Sequence, residues 1–435
     1  MTIVSGFSKL NRAQRIKYLV EHSKLNEDDG IGFGEFDAAG LEDQQVLSDM
    51  TENYLGNFPV PMGVVTNLVL NGVIISVPFV TEESSVVAAA SKAAKFWASR
   101  GGFRAVVLST IKKGQVHFTW NGKPETISAL FPAIREKLIL SVTDLTAKMR
   151  KRGGGITEIH LLNKTLELTD YYQIDVSFET AEAMGANFIN SCLETFASVL
   201  RNIPELNSGE QKVEIILSIL SNYTPDCRVK CHVECPVEDL AGWDKNLTGK
   251  AFAVKFKQAA DIANLDASRA VTHNKGIFNG IDAVLVATGN DWRAASASAH
   301  AYASREGRYK GLTRIDSSDQ IFRYELELPL AIGTVGGITH IHPGVKRAMA
   351  MMNDPDARQL MMIAAASGLA SNFSAVASLI TTGIQDGHMR MHLTNILSQV
   401  NASQAERELA VNHFRGKTIS FAAVGKYIRQ IRNEP

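Results

Sequence analysis

The chain has 435 residues, 45% hydrophobic and 21% charged, with 45 basic side chains balanced by 45 acidic ones. That length exceeds one ordinary core, so two or three domains are expected, and a formal charge of zero gives no electrostatic reason for nucleic acid or an anionic membrane as partner. No basic segment followed by an apolar one opens the sequence, and no uninterrupted apolar run is long enough to cross a bilayer, so a cytoplasmic protein is expected.

From the N-terminus, KLNRAQRIKYLVEHS has helical periodicity with Asn11 as its N-cap. Two β-rich runs in GVVTNLVLNGVIISVPFV flank Asn71 and Gly72, the strongest short hairpin signal. The second run ends at TEESSVVAAASKAAKFWASRGG, where Ser84 or Ser85 is expected to cap a helix and Gly101 to stop it. Glu82 and Glu83 then lie at a strand-to-helix junction, beside exposed helix N–H groups.

The next stretch changes character. VHFTW reads as a strand, ETISALFPAIREKLILSVTDLTAKMRKR as one helix stopped by Gly153, Gly154 and Gly155, and ITEIHLLN with LELTDYYQIDVS as a hairpin. AEAMGANFINSCLETFASVLRNI reads as a second helix and KVEIILSIL as a closing strand. The order βαββαβ is the signature of a split βαβ, ferredoxin-like unit. An α+β fold is therefore expected: a mostly helical large domain from residues 1–104 and 221–376, an inserted ferredoxin-like small domain at 105–220, and a helical C-terminal flap at 377–435.

In CRVKCHVEC, Cys227, Cys231 and Cys235 stand four apart with His232 between them. The spacing is not that of a zinc ribbon, and positions four apart share one face of a strand, so three buried thiols and no metal are expected. From TGKAFAVKFKQAADIANL onward the chain is mostly helical, interrupted by a returning hairpin in LTRIDSSDQIFRYELELPLAIGTVGG. Short helices close it after Gly383 and Gly387, consistent with a hinged lid.

GxGxxG does not occur, so a standard dinucleotide fingerprint is absent. EAMGAN, residues 182–187, reads on spacing alone as an ordinary capped helix start, and is the candidate phosphate turn if a nucleotide binds, because it opens the second helix of the insert, where free N–H groups favour an anion. Lys275 sits in an apolar, helix-like run, where an ammonium is costly unless it is paired or serves chemistry. Asp291 and Glu83 each read equally well as helix-terminal carboxylates, and His388 as a surface histidine. Together they suffice for carbonyl reduction: a lysine for the developing oxyanion, a carboxyl to donate a proton, a histidine to protonate a leaving group. A lysine Schiff base to an aldehyde cofactor and a non-catalytic CoA-binding scaffold are the competing readings.

The motifs TENYLGNFPVPMGV, TEESSVVAAAS, EAMGANFIN, RAVTHNKGIFNGIDAVLVATGNDWRA and GIQDGHMRMH, in that order, resemble the bacterial class II 3-hydroxy-3-methylglutaryl-CoA (HMG-CoA) reductases. The resemblance implies a four-electron reduction of HMG-CoA to mevalonate and free coenzyme A by two nicotinamide hydrides, or the same reaction run in the degradative direction with NAD. It implies that Lys275 stabilises the oxyanion, Glu83 delivers protons, Asp291 hydrogen-bonds the lysine, and His388 on the flap protonates the departing thiolate. Arg269 would clamp the free carboxylate of the substrate, with Ser85, Asn222 and Asn279 as polar contacts.

Glu182, Met184, Gly185 and Asn187 would approach the dinucleotide, although Glu182 stands where aspartate is commoner. Thr146 occupies the position where NADH-preferring relatives carry an acid, with Arg150 one turn on, so NADPH is preferred over NADH. Near the N-terminus Ser8 stands where some relatives place a CoA-binding arginine, with Lys9 beside it. The resemblance also implies a homodimer or a hexamer of dimers with its active site between subunits.

Overall fold

The computed structural model describes residues 4, 6–244, 246–317, 320–381, 393, 394, 396–414, 417 and 419–432, the side chain of Ser84 excepted. An N-terminal arm carries α1 (Arg12–His22), α2 (Glu27–Gly32) and α3 (Leu41–Asp49). Asn11 caps α1 as expected, in a reciprocal capping box with Gln14. A hairpin of β1 (Met62–Leu70) and β2 (Val73–Val80) follows, turned by Asn71 and Gly72, both at positive φ.

Helix α4 (Ser84–Ala98) starts one residue earlier than a serine cap requires. Its N-cap is Glu83, whose side chain makes no cap hydrogen bond. The expected serine cap is thus corrected: Ser85 already lies inside the helix, and its hydroxyl turns back to Glu83.

Strands β3 (Arg104–Val107), β4 (Lys112–Trp120), β5 (Gly155–Asn163), β6 (Tyr171–Glu179), β7 (Val213–Ser221), β8 (Arg228–Pro236), β9 (Thr313–Asp316) and β10 (Ile321–Pro329) form two four-stranded sheets. One has the order β5-β6-β4-β7 with all neighbours antiparallel, the arrangement of a βαββαβ unit. Its buried face meets α5 (Pro124–Ser141) and α7 (Ala186–Arg201) in a core containing Val116, Phe118, Trp120, Phe178, Leu193 and Phe196. The single helix expected before Gly153 is two: α5, then α6 (Thr143–Lys151), broken at Val142 with φ −110° and ψ 14°. Two successive β-branched residues, Val142 and Thr143, mark the break.

The second sheet, β3-β8-β10-β9, belongs to a separate and larger core. Residues 105–107, expected in the insert, pair here with β8, so the insert's sheet begins at Lys112. Cys231 and Cys235 lie buried on one face of β8 and Cys227 is buried just before it. Desolvation raises all three thiols, Cys227 to about 11 and Cys235 to about 12.

The large core is completed by α8 (Gly249–Leu265), α9 (Ala267–Ala287), α10 (Trp292–Ala303), α11 (Pro343–Met351) and α12 (Ala357–Ile380). Phe373 of α12 stands among Trp97, Trp243 and Phe256, each ring centroid 5.1 Å away. By length and composition α12 could cross a bilayer, although serines and Asn372 interrupt its apolar run, and 89% of its apolar window is buried inside the protein. At the C-terminus α13 (Gln404–His413) and α14 (Phe421–Arg432) share a small apolar cluster with Leu393, Ile396 and Leu397.

Candidate functional site

The β2–α4 junction and the middle of α9 meet at one carboxylate. Lys275 Nζ donates to Glu83 Oε2 at 3.2 Å, and Ser85 Oγ donates to Glu83 Oε1 at 2.6 Å. Strand β2 delivers Glu83 to the end of α4, while α9 packs against β2 and carries the lysine to it. The lysine side chain is 62% exposed, so the pair contributes about 0–1 kcal/mol to stability. Both groups are therefore held in place while remaining available to a ligand.

On α9, Asn279 lies one turn beyond Lys275 on the same face, and Asp282 two turns beyond. Ser296 Oγ of α10 donates to Asp282 Oδ1 at 3.2 Å. Burial pushes the Asp282 carboxyl up to about 7, with the Ser296 hydrogen bond offsetting part of the rise. Asp282 was not singled out from the sequence, although its spacing of seven residues from Lys275 was the signal that places it on this face. Arg269 stands in the first turn of α9, about 120° around the helix from Lys275.

A second group of residues assembles around a short segment at 333–335. Asp291 is the N-cap of α10, accepting from Ala294 N at 3.1 Å and from Arg293 Nε at 3.2 Å. The hydrogen bond expected between Asp291 and Lys275 is not formed among the described residues. The carboxylate instead serves its own helix terminus and its neighbouring guanidinium, both local and strong acceptor sites. Next to it, Asn290 Oδ1 accepts from Gly333 N at 2.9 Å.

From the other side, Thr334 N donates to the Glu182 carbonyl at 2.8 Å, and Ala183 pairs with Val335 in a β-bridge. Met184 and Asn222 line one narrow slot together with Lys112, Thr224 and Ala294, which places both between the insert and the Asp291 helix. Gly185 is the N-cap of α7 at φ 96°, and a Cβ there would lie 2.5 Å from Thr180 Cγ2, so only glycine fits. The helix start has no side-chain cap, and Asn187 is exposed in its first turn, leaving N–H groups for an anion.

Two residues expected near the cofactor are engaged within the chain. On the Glu182 carboxylate, Oε2 accepts from Thr334 Oγ1 at 2.9 Å and from Ala357 N at 2.7 Å. A carboxylate at the start of α12 meets unpaired N–H groups, which is why it turns there. Thr146 is 5% exposed, with its hydroxyl bonded to the Val142 carbonyl at 2.8 Å, the habit of a mid-helix threonine. Arg150 does share its face as the spacing predicts: Arg150 Nη2 and Thr146 Oγ1 both donate to the Thr143 carbonyl. Arg150 stays exposed at the helix end beside Lys148 and Lys151. His388, with Gly383 and Gly387, lies outside the described residues.

The arrangement thus offers an ammonium, two carboxylates and an uncapped helix N-terminus, distributed over two clusters. Comparison with known proteins identifies their context. Residues 11–393 match the family model described as hydroxymethylglutaryl-coenzyme A reductase. The chain is 32% identical over 412 residues to the 3-hydroxy-3-methylglutaryl-coenzyme A reductase of Archaeoglobus fulgidus, covering 94% of this chain and 89% of the relative. It is 33% identical to the probable enzyme of that name from Borreliella burgdorferi, over 90% and 88% of the two chains.

Among solved structures, it superposes on the class II reductase of Streptococcus pneumoniae bound to NADPH in open conformations. The TM-score there is 0.72 at 35% identity, over 87% of this chain and all of that one. A second structure of the pneumococcal reductase gives a TM-score of 0.73 at 34% identity over 99% of this chain and all of that one.

Proposed function

The chain belongs to the hydroxymethylglutaryl-coenzyme A reductase family, and from that premise we propose that Glu83, Lys275, Asp291 and His388 carry the reduction of HMG-CoA to mevalonate and coenzyme A. The observation that carries this reading is the Lys275 ammonium held 3.2 Å from Glu83 on an exposed helix face, with Ser85 on the other carboxylate oxygen. A bound nicotinamide supplies hydride. The chain's own groups do the rest.

Lys275 meets the negative charge that develops on the thioester oxygen, and Glu83 is placed to pass a proton to that oxygen. Collapse of the resulting hemithioacetal returns its hydroxyl proton to Glu83 and breaks the C–S bond, and His388 protonates the sulfur as it leaves. The aldehyde then accepts the second hydride and a second proton to become the alcohol. Arg269, Asn222 and Asn279 orient the substrate, Arg269 pairing with its free carboxylate.

The dinucleotide is proposed to lie against residues 182–187 in the small domain, whose sheet runs from Lys112 to Ser221. The uncapped start of α7 and the glycine-only approach at Gly185 fit its phosphates. NADPH is preferred over NADH, because Arg150 stays exposed at the end of α6, where its guanidinium can meet a 2′-phosphate. The large domain, which includes residues 105–107 of β3, would hold HMG-CoA, and residues 377–435 would close over it.

The exposure of Lys275 supports an assembly of two subunits, or a hexamer of dimers, with the site between them. One chain alone leaves the lysine wet, whereas oxyanion stabilisation is strongest where water is excluded. A cytoplasmic location is part of the same proposal. Lys275→Ala tests the reading: the folded variant is expected to lose about a hundredfold or more in kcat. Near-normal turnover would remove the lysine from the mechanism.

A further inference from the structure

We propose that Glu182 is a positioning residue that latches residues 182–187 to the large domain, setting where the dinucleotide sits without being its principal contact. This rests on the reductase reading above. Three hydrogen bonds and a β-bridge converge on one spot. Glu182 Oε2 accepts from Thr334 Oγ1 at 2.9 Å and from Ala357 N, the first residue of α12, at 2.7 Å. The Glu182 carbonyl accepts from Thr334 N at 2.8 Å, and Ala183 bridges to Val335. A carboxylate there is favoured by the positive end of a 24-residue helix, so charge and geometry agree.

The packing leaves no slack. A Cβ on Gly333 would lie 2.4 Å from Met184 N and 2.8 Å from Ala183 C, so segment 333–335 and the 182–187 loop must move together. Gly333 N in turn donates to Asn290, the neighbour of Asp291. Helix α12, whose first N–H the carboxylate holds, also grips α9: Asn372 Nδ2 donates to the His273 carbonyl at 2.7 Å, two residues before Lys275. The latch therefore ties the loop that would carry the cofactor to the segments that carry Asp291 and Lys275. A group that fixes reacting partners relative to each other acts on rate through geometry.

The test is a double-mutant cycle on the enzyme with Glu182→Ala and Thr334→Val, reading NADPH dissociation constants by fluorescence and single-turnover oxidation with HMG-CoA. Thr334→Val removes only the hydroxyl that holds the carboxylate. Each single change is expected to weaken NADPH binding and slow hydride transfer by about tenfold, and the double variant to lose about as much as Glu182→Ala alone, because the Thr334 hydroxyl has by then lost its partner. Thr334→Ser, which keeps the hydroxyl, should restore both values.

The latch is overturned if Thr334→Val leaves NADPH affinity and rate unchanged while Glu182→Ala impairs them, or if the two losses multiply. It is also overturned if both variants lower the melting temperature without moving either readout. Wild-type enzyme that neither binds NADPH nor turns over HMG-CoA would instead refute the reductase reading itself.

Discussion

Lys275 and Asp282 share a face of α9 two turns apart, yet their surroundings differ. The lysine is mostly exposed, whereas burial lifts the aspartate to about 7. In the unfolded chain an aspartate titrates near 3.9, so between about pH 4 and 7 the folded state keeps a proton that the unfolded state has released. The contribution of Asp282 to stability is thus fully present below the unfolded value and lost as pH rises through about 7. Asp282→Asn is uncharged at every pH and can still bond Ser296. Its melting temperature should fall less than that of the wild type between pH 5 and pH 8, and identical profiles would show that Asp282 does not titrate in this window. At this scale the sequence reveals residue types and helical faces. It does not reveal burial, which is why Asp282 escaped notice and why Thr146 was expected at a surface it does not reach.

Helices α9 and α12 set the position of Lys275, and glycines let them approach. A Cβ on Gly280 would lie 2.3 Å from the Ser367 carbonyl oxygen, and one on Gly368 would lie 2.7 Å from Ile281 Cγ1. Glycine in an exposed helix interior ordinarily gains about 1 kcal/mol on change to alanine. At position 280 the sign should reverse, with a loss of about 1–3 kcal/mol from overpacking and a fall in turnover as Lys275 shifts. Denaturant unfolding of Gly280→Ala checks this, and a stabilised variant would contradict the close contact. Elements were largely legible: the capping box at Asn11, the turn at Asn71 and Gly72, and the alternation in CRVKCHVEC each encode a local rule. The break at Val142 was not, because apolar periodicity runs through it and only the backbone at that residue departs from helix.

At the scale of the molecule, the order of strands and helices between Lys112 and Ser221 was enough to predict a βαββαβ sheet, since connection order and antiparallel pairing leave few alternatives. Where that sheet meets the rest of the chain was not predictable. Residues 105–107 pair with β8 because a hydrogen-bonding edge was open there, not because of any pattern in those residues. The motifs for the site were visible in order along the chain, but their grouping was not: Glu83 joins Lys275, while Asn290, next to Asp291, joins the 333–335 segment and, through it, Glu182. Both clusters acquire a common purpose only if one reaction passes between them. The most direct measurement is the ratio of NADPH oxidised to coenzyme A thiol released when wild-type enzyme is given HMG-CoA. The account predicts two NADPH per thiol, with mevalonate as product. Thiol release without NADPH oxidation, or no oxidation dependent on HMG-CoA with either NADPH or NADH, would contradict it.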